Sequence, residues 1–189
     1  MKVLKFGGTS VGSVESIRQI QQIIAGQTDD CIVVVSALGG VTDQLLRAAR
    51  LALESSEEYM EEYQAIRHRH IEMINQLIDN PTTKQILLME VEGILDELRS
   101  ILFGVHLVKD LSPKSEAVIV SYGERMSSVI VSNIIDGACH FDSREFIKTE
   151  KWFNKNIADT DLTNNLIHKT FDNMTSKVAV IGGFISTDR

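Results

Sequence analysis

Short, continuous apolar runs that alternate with amphipathic helical patterns are the feature that most constrains the fold of this chain. Cys31–Val35 reads CIVVV, which is typical of a strand covered on both faces, and residues 178–181 read VAVI. Around these runs, apolar residues recur at helical spacing, as at Val14, Ile17 and Ile20. Alternating strands and helices predict an α/β fold with a mainly parallel sheet sandwiched by helices.

The same patterns predict where the individual elements lie. Two long helices, over 57–78 and 83–102, are expected to pack as a hairpin that forms a helical insertion at about 57–103. Other helices are expected to begin near Ser13, after residue 40, near Glu124 and near Leu162. The predicted strands cover residues 2–6, 31–35, 117–121, 138–142 and 178–181.

Composition excludes several classes of function. The formal net charge of −7 argues against nucleic acid or an anionic membrane surface as the main partner. The two cysteines, Cys31 and Cys139, lie far apart without Cys or His ligand spacing, so no redox or metal site on the protein is expected. The sequence shows neither a signal peptide nor an apolar stretch of membrane-spanning length, which favours a cytoplasmic protein.

A glycine-rich loop after the first predicted strand has the composition of a phosphate site. Lys5 is followed by Gly7, Gly8 and the hydroxyl of Ser10, and a helix is expected to begin near Ser13. Glycines let the backbone approach an anion closely, the helix start attracts negative charge, and the lysine adds a full positive charge. The alternative is a tight turn between strand and helix that requires glycine for its backbone alone.

The ends of the other predicted strands carry further polar groups, where α/β sheets commonly bind ligands. Ser36 and Thr42 follow the second strand, although Thr42 has helix capping as an equal alternative. Glu124 follows a third strand and offers a carboxylate to an ammonium group, or simply an acid in the first helical turn. The guanidinium of Arg144 could form a bidentate pair of hydrogen bonds with a ligand carboxylate, or it could form a structural salt bridge. Phe184 follows the last predicted strand.

Taken together, these loops resemble the ordered motifs of aspartokinases, within the amino-acid kinase fold. The first block, KFGGTSVG, is the most diagnostic, and the other blocks follow it in the family's order. The helical insertion and the stretch 97–128 look most similar to the kinase part of fused aspartokinase–homoserine dehydrogenases. The matching blocks are residues 5–12, 34–43, 123–127, 141–144 and 183–185.

The resemblance implies an enzyme that phosphorylates the β-carboxylate of L-aspartate with ATP and magnesium, the magnesium being bound largely through the nucleotide. In that reading Lys5 is the catalytic residue, and with Gly7, Gly8 and Ser10 it holds the ATP phosphate. The substrate is held by Ser36, Thr42, Glu124, Arg144 and Phe184.

The resemblance also implies that residues 1–189 are the N-terminal part of an amino-acid kinase domain. The rest of the ATP site, with its GRGGSD block, and the ACT regulatory domains of the family lie outside the sequence. We therefore expect little kinase activity from this chain alone and a homo-oligomer in a full-length protein. The alternatives are another amino-acid kinase with a different acceptor and a non-catalytic module that senses aspartate.

Overall fold

The computed structural model describes residues 1–152, 155–172 and 174–188, and it contains two sheets surrounded by helices. The strands are β1 (Lys2–Phe6), β2 (Cys31–Val35), β3 (Ala138–Phe141), β4 (Lys148–Trp152), β5 (Lys155–Ala158), β6 (Val178–Gly182) and β7 (Thr187–Asp188). The helices are α1 (Val14–Ala25), α2 (Val41–Leu53), α3 (Tyr59–Leu77), α4 (Pro81–Val108), α5 (Pro113–Ile134), α6 (Ser143–Phe146) and α7 (Thr160–Phe171).

The main sheet has four strands in the order β1-β2-β6-β3, and every neighbouring pair is parallel. Because the strands are parallel, their carboxyl ends meet at one edge of the sheet. Val33 and Val35 face a core shared with α2, α3, α4 and α5, while Ile32 faces a smaller cluster around Phe146 and Phe171. The predicted parallel sheet covered by helices is confirmed.

The predicted strand at 117–121, with a separate helix starting near Glu124, is wrong. Both stretches belong to the single helix α5, which Ser112 caps by accepting a hydrogen bond from Ser115 N at 3.1 Å, with Pro113 in its first turn. Every residue from Tyr122 to Ser132 is buried. The misread run 117–121 lies before this buried part, with Ala117 and Val118 exposed, and its sequence AVIVS is short and rich in β-branched residues. Periodicity alone does not distinguish a short apolar run of this kind from a strand.

The two long predicted helices are present as α3 and α4, and α4 extends to Val108. Asn80 caps α4 by accepting a hydrogen bond from Thr83 N at 3.0 Å. The second sheet, with strand order β5-β4-β7, was not predicted, because its short strands carry charged and polar residues without an apolar run. The division into a kinase domain with an inserted helical hairpin stays a prediction.

His70 on α3 makes the fold sensitive to acid. Its side chain is fully buried, its Nδ1 lies 2.7 Å from Ile66 O, and its Nε2 has no partner among the described residues. Burial lowers the pKa of His70 from 6.5 to about 4. The unfolded chain therefore binds a proton that the folded chain excludes, and stability falls as the pH drops from about 6.5 towards 4.

We expect His70 to contribute a loss of about 3 kcal/mol in unfolding free energy over that range, given 1.4 kcal/mol per pKa unit. Urea unfolding at pH 7, 6, 5 and 4 measures this loss. His70→Leu is expected to flatten the profile by that amount, while the exposed His68 on the same helix supplies the control variant His68→Leu. Equal slopes for the wild type and His70→Leu would contradict the assignment.

Candidate functional site

The carboxyl ends of the parallel strands form the floor of the candidate site. Backbone hydrogen bonds join successive ends: Ser36 N donates to Phe6 O at 3.1 Å, and Gly183 N donates to Val35 O at 2.8 Å. The loops that follow β1, β2 and β6 are therefore neighbours. Lys5, Gly7, Ser36 and Phe184 are brought to this edge, as their sequence positions predicted.

The two glycine-bearing loops after β1 and β2 pack backbone against backbone. A Cβ added to Gly39 would lie 3.0 Å from Gly8 O, and one added to Gly8 would lie 3.3 Å from Ala37 O. Gly7 has open space where a Cβ would be, and its carbonyl accepts from Ser10 N at 2.9 Å. Gly8 and Gly39 are thus required for loop contact, whereas the backbone at Gly7 lies open to a ligand.

Thr42 lies in the first turn of α2, but it does not cap that helix. The N-cap is Gly40, with φ of 83°, and no side chain makes a capping hydrogen bond there. The capping alternative for Thr42 is therefore wrong. Thr42 is half-buried and follows Gly39 by three residues.

Glu124 lies in the middle of α5 rather than directly after a strand, yet the fold places it against the strand ends. A Cβ added to Gly182 at the end of β6 would lie 3.3 Å from Glu124 Cβ. Glu124 is only 8% exposed, and its Oε2 has no hydrogen-bond partner in the described part of the chain. Burial raises the pKa of this carboxyl, and the backbone N–H of Ala37 opposes that shift in part.

Burying a carboxylate whose oxygen has no hydrogen bond and no cationic partner costs free energy of folding, so such a group is not explained by stability. An ammonium group placed beside it would supply the missing charge and a hydrogen-bond donor. Glu124 is therefore the residue of this edge whose surroundings favour a cationic ligand group most strongly.

Ser127, which the sequence reasoning missed, links α5 to the loop after β2. Its side chain is fully buried, and its Oγ donates to Ser36 O at 2.8 Å. Ser127 follows Glu124 by three residues, which puts both on the same face of the helix. The three-residue spacing was visible in sequence, because a helix was predicted to begin near Glu124, but no pattern indicated that the Ser127 hydroxyl reaches Ser36. The bond fixes Ser36 relative to Glu124.

We expect Ser127→Ala to destabilise the fold by about 1–3 kcal/mol, because the carbonyl of Ser36 loses its buried donor. The same change should weaken the binding of any ligand held between Ser36 and Glu124. Ser132→Ala is the matched control, since this buried serine on the same helix bonds only to Val129 O of its own helix. Thermal unfolding and ligand titration of both variants test this, and equal effects would contradict a positioning role.

Arg144 and Phe184 were both predicted to bind the substrate, but neither side chain is placed as that prediction implies. The guanidinium of Arg144 forks onto Asp142, with Nε 3.0 Å from Oδ1 and Nη2 2.5 Å from Oδ2, so it forms the structural salt bridge that was the alternative reading. Phe184 is fully exposed with a left-handed φ of 63°, which is strained for a bulky residue. It lies at the correct edge without packing against it.

Among the described residues, no group of three or more His, Cys, Asp or Glu side chains could hold a metal ion. Within the same residues, no helix is both long and apolar enough to cross a membrane.

The chain is similar in sequence to known proteins. The sequence model of the amino acid kinase family matches residues 1–189. The chain is 29% identical over 196 residues to Aspartokinase 2, chloroplastic, of Arabidopsis thaliana, covering 97% of the chain and 34% of that relative. It is 26% identical over 199 residues to a bifunctional aspartokinase/homoserine dehydrogenase of Buchnera aphidicola, covering 100% of the chain and 24% of that relative.

The fold is also similar to solved structures. Aspartokinase III of E. coli in complex with aspartate and ADP superimposes with a TM-score of 0.86 at 25% identity, covering 100% of this chain and 42% of that one. Aspartate kinase of Clostridium acetobutylicum gives a TM-score of 0.78 at 19% identity, covering 100% and 40%. The chain thus spans about a quarter to two fifths of the length of these proteins.

Proposed function

The chain belongs to the amino acid kinase family, and we propose that its strand-end site serves an aspartate kinase. The proposed reaction is the ATP-dependent phosphorylation of the L-aspartate β-carboxylate to 4-phospho-L-aspartate, the first step of lysine, threonine and methionine biosynthesis. The observation that carries this proposal is the buried carboxylate of Glu124 at the strand ends, whose Oε2 has no hydrogen-bond partner among the described residues. The aspartokinase relatives, and the bound aspartate and ADP in E. coli aspartokinase III, support it.

In the proposed mechanism, Glu124 accepts hydrogen bonds from the substrate ammonium group, and the hydroxyls of Ser36 and Thr42 orient its carboxylates. A β-carboxylate oxygen attacks the γ-phosphorus of ATP while the bond from that phosphorus to the bridging oxygen breaks, which yields the acyl phosphate and ADP. Lys5 neutralises the transferred phosphoryl group, and the backbone around Gly7 lies close to it. Such a reaction depends on positioning and charge neutralisation more than on covalent help.

Magnesium would enter with the nucleotide and neutralise charge on its phosphates. The described residues offer no cluster of acidic ligands, so ATP itself would supply most of the oxygen ligands. Lys5, whose side chain is exposed at the open edge of the sheet, is free to move onto the phosphate. Gly7, Gly8 and Ser10 form the adjacent loop.

Because the chain spans only part of its relatives' length, the activity of a whole aspartokinase is proposed for the protein that contains all of those parts. For the 189-residue chain itself we propose aspartate binding with little turnover. Homo-oligomerisation stays a prediction. A cytoplasmic location also stays a prediction, and the Arabidopsis relatives are chloroplastic by name.

A trapping assay with hydroxylamine tests the proposed reaction, because acyl phosphates form coloured hydroxamates. The chain is incubated with ATP, magnesium and L-aspartate, with L-glutamate and N-acetyl-L-glutamate as alternative acceptors. Any slow product is expected with L-aspartate alone, and calorimetry is expected to show binding of L-aspartate in preference to the other two. Preference for another acceptor in both measurements would assign the site to a different amino-acid kinase, and turnover at the rate of a full-length aspartokinase would overturn the proposed low activity.

A further inference from the structure

A second polar cavity lies beside the candidate site, between α4, α5 and the ends of β3 and β6. Its volume is about 270 Å3, which suits a ligand of a few heavy atoms. Its lining includes Ile94, Arg125, Ser128, Val129, His140 and Arg144. Of the five residues expected to hold the substrate, Arg144 alone lines the cavity, and its guanidinium is bonded to Asp142. The cavity therefore lies beside the proposed aspartate site and shares none of the three residues, Ser36, Thr42 and Glu124, that hold aspartate in the proposed mechanism.

Arg125 is the group in this cavity whose charge is least well compensated. Its side chain is only 10% exposed, and its Nη2 donates to Glu97 Oε2 at 2.8 Å. The Glu97 side chain is 57% exposed, so water screens its charge. The guanidinium also lies 4.3 Å from the centroid of the Tyr122 ring. Since a guanidinium has five N–H donors, one bonded carboxylate oxygen leaves several for a ligand.

The other acidic groups of the lining form no salt bridge with Arg125 among the described residues, although the charge of Arg125 helps to lower the pKa of the Asp142 carboxyl. The carboxylate of Asp142 accepts two hydrogen bonds from the guanidinium of Arg144, so the charges of these two residues offset each other. Glu90 is exposed to solvent, so water screens its negative charge. His140 shares a 3.0 Å hydrogen bond between its Nε2 and Ser128 Oγ, and desolvation lowers the pKa of its imidazole, which favours the neutral form.

Apolar side chains complete the cavity. Ile94 of α4, Val129 of α5 and Ile185 after β6 all line it. A ligand that combines a carboxylate with a short aliphatic chain would satisfy both parts, because a carboxylate accepts two parallel hydrogen bonds from a guanidinium. We propose that this cavity binds a small aliphatic carboxylate through Arg125.

Butyrate is a suitable probe, and butyramide is its uncharged control of the same shape. In 1H–15N NMR titrations of the whole chain, butyrate should saturate and shift the amides of Ser128, His140 and Gly182, whereas butyramide should bind at least tenfold more weakly. Equal binding of the two probes, or no saturable binding of butyrate, would overturn the proposal.

Two substitutions test whether butyrate binds through Arg125. Arg125→Gln should abolish saturable butyrate binding, and Glu97→Gln should strengthen it severalfold, because Glu97 competes with the ligand for Arg125. Asp96→Asn removes a neighbouring exposed charge of α4 and is the control, with no expected change. If Arg125→Gln fails to fold, the Glu97→Gln result decides alone: unchanged or weaker binding contradicts the proposal.

The cavity is also distinguishable from the proposed aspartate site. Glu124→Gln should leave butyrate binding unchanged, since Glu124 does not line the cavity. Loss of butyrate binding in that variant would show that the probe occupies the aspartate site instead. Failure of aspartate binding with retained butyrate binding would refute the proposed function and leave the Arg125 cavity standing.

Discussion

Replacing Glu124 with glutamine is expected to weaken L-aspartate binding on the order of 100-fold, because one partner of a buried charge pair is lost. Glutamine keeps the shape of the side chain and a carbonyl acceptor, so the change isolates the negative charge. Isothermal titration calorimetry measures the affinity. Glu116→Gln, in the first turn of the same helix, is the control and should bind L-aspartate like the wild type.

The same substitution should not destabilise the unliganded fold. The pKa of the Glu124 carboxyl is raised in the folded state, so the folded chain holds its proton more tightly than the unfolded chain. Stability from this group is therefore present at low pH and lost as the pH rises through the unfolded and then the folded pKa. Glu124→Gln removes this loss, and urea unfolding at pH 7 should show an equal or higher free energy of unfolding. A large destabilisation would mean that the carboxylate is a structural group.

Gly123→Ala is expected to destabilise the fold through a steric clash. A Cβ on Gly123 would lie 2.6 Å from Ala37 Cβ and 3.4 Å from Leu45 Cδ1, in a buried contact between α5 and the loop after β2. Overpacking of this kind costs about 1–3 kcal/mol and exceeds the gain in helix propensity. Because Ala37 adjoins Ser36, the displaced loop should also bind L-aspartate more weakly.

Gly93→Ala, on another helix, is expected to change the stability of the fold in the opposite direction. Gly93 lies within α4, and a Cβ there would meet nothing within 4 Å. Alanine should therefore stabilise the fold by about 1 kcal/mol through helix propensity alone. Chemical unfolding of both variants compares them directly. Similar effects of the two changes would show that the α5 contact is looser than described.

The sequence correctly placed at one edge of the sheet those candidate residues that directly follow a strand. The loops after β1 and β2, and Phe184 after β6, lie at one edge because the apolar runs identified those strands and a parallel sheet aligns their ends. Glu124 was singled out because it was thought to follow a strand at 117–121, but that run belongs to α5. That run is short, apolar and rich in β-branched residues, and periodicity alone does not distinguish such a run from a strand.

Contacts between distant parts of the chain could not be predicted from patterns. The bond from Ser127 to Ser36 spans 91 residues, and the fit of Gly39 against Gly8 depends on how two loops pack. A structural salt bridge was one of the two alternatives for Arg144 in the sequence. Only the geometry, which pairs it with Asp142, decides between that salt bridge and a bond to a ligand carboxylate. The separate Arg125 cavity likewise depends on α4 lying beside the end of β3.

A 1H–15N NMR titration of the chain with L-aspartate tests the central claim most directly, because it locates the bound ligand residue by residue. We predict saturable shifts centred on Gly7, Ser36, Thr42 and Glu124, all absent in Glu124→Gln. Shifts that are absent at saturating L-aspartate, or that centre on Arg125 and survive in Glu124→Gln, would contradict the assignment of the strand-end site as the aspartate site.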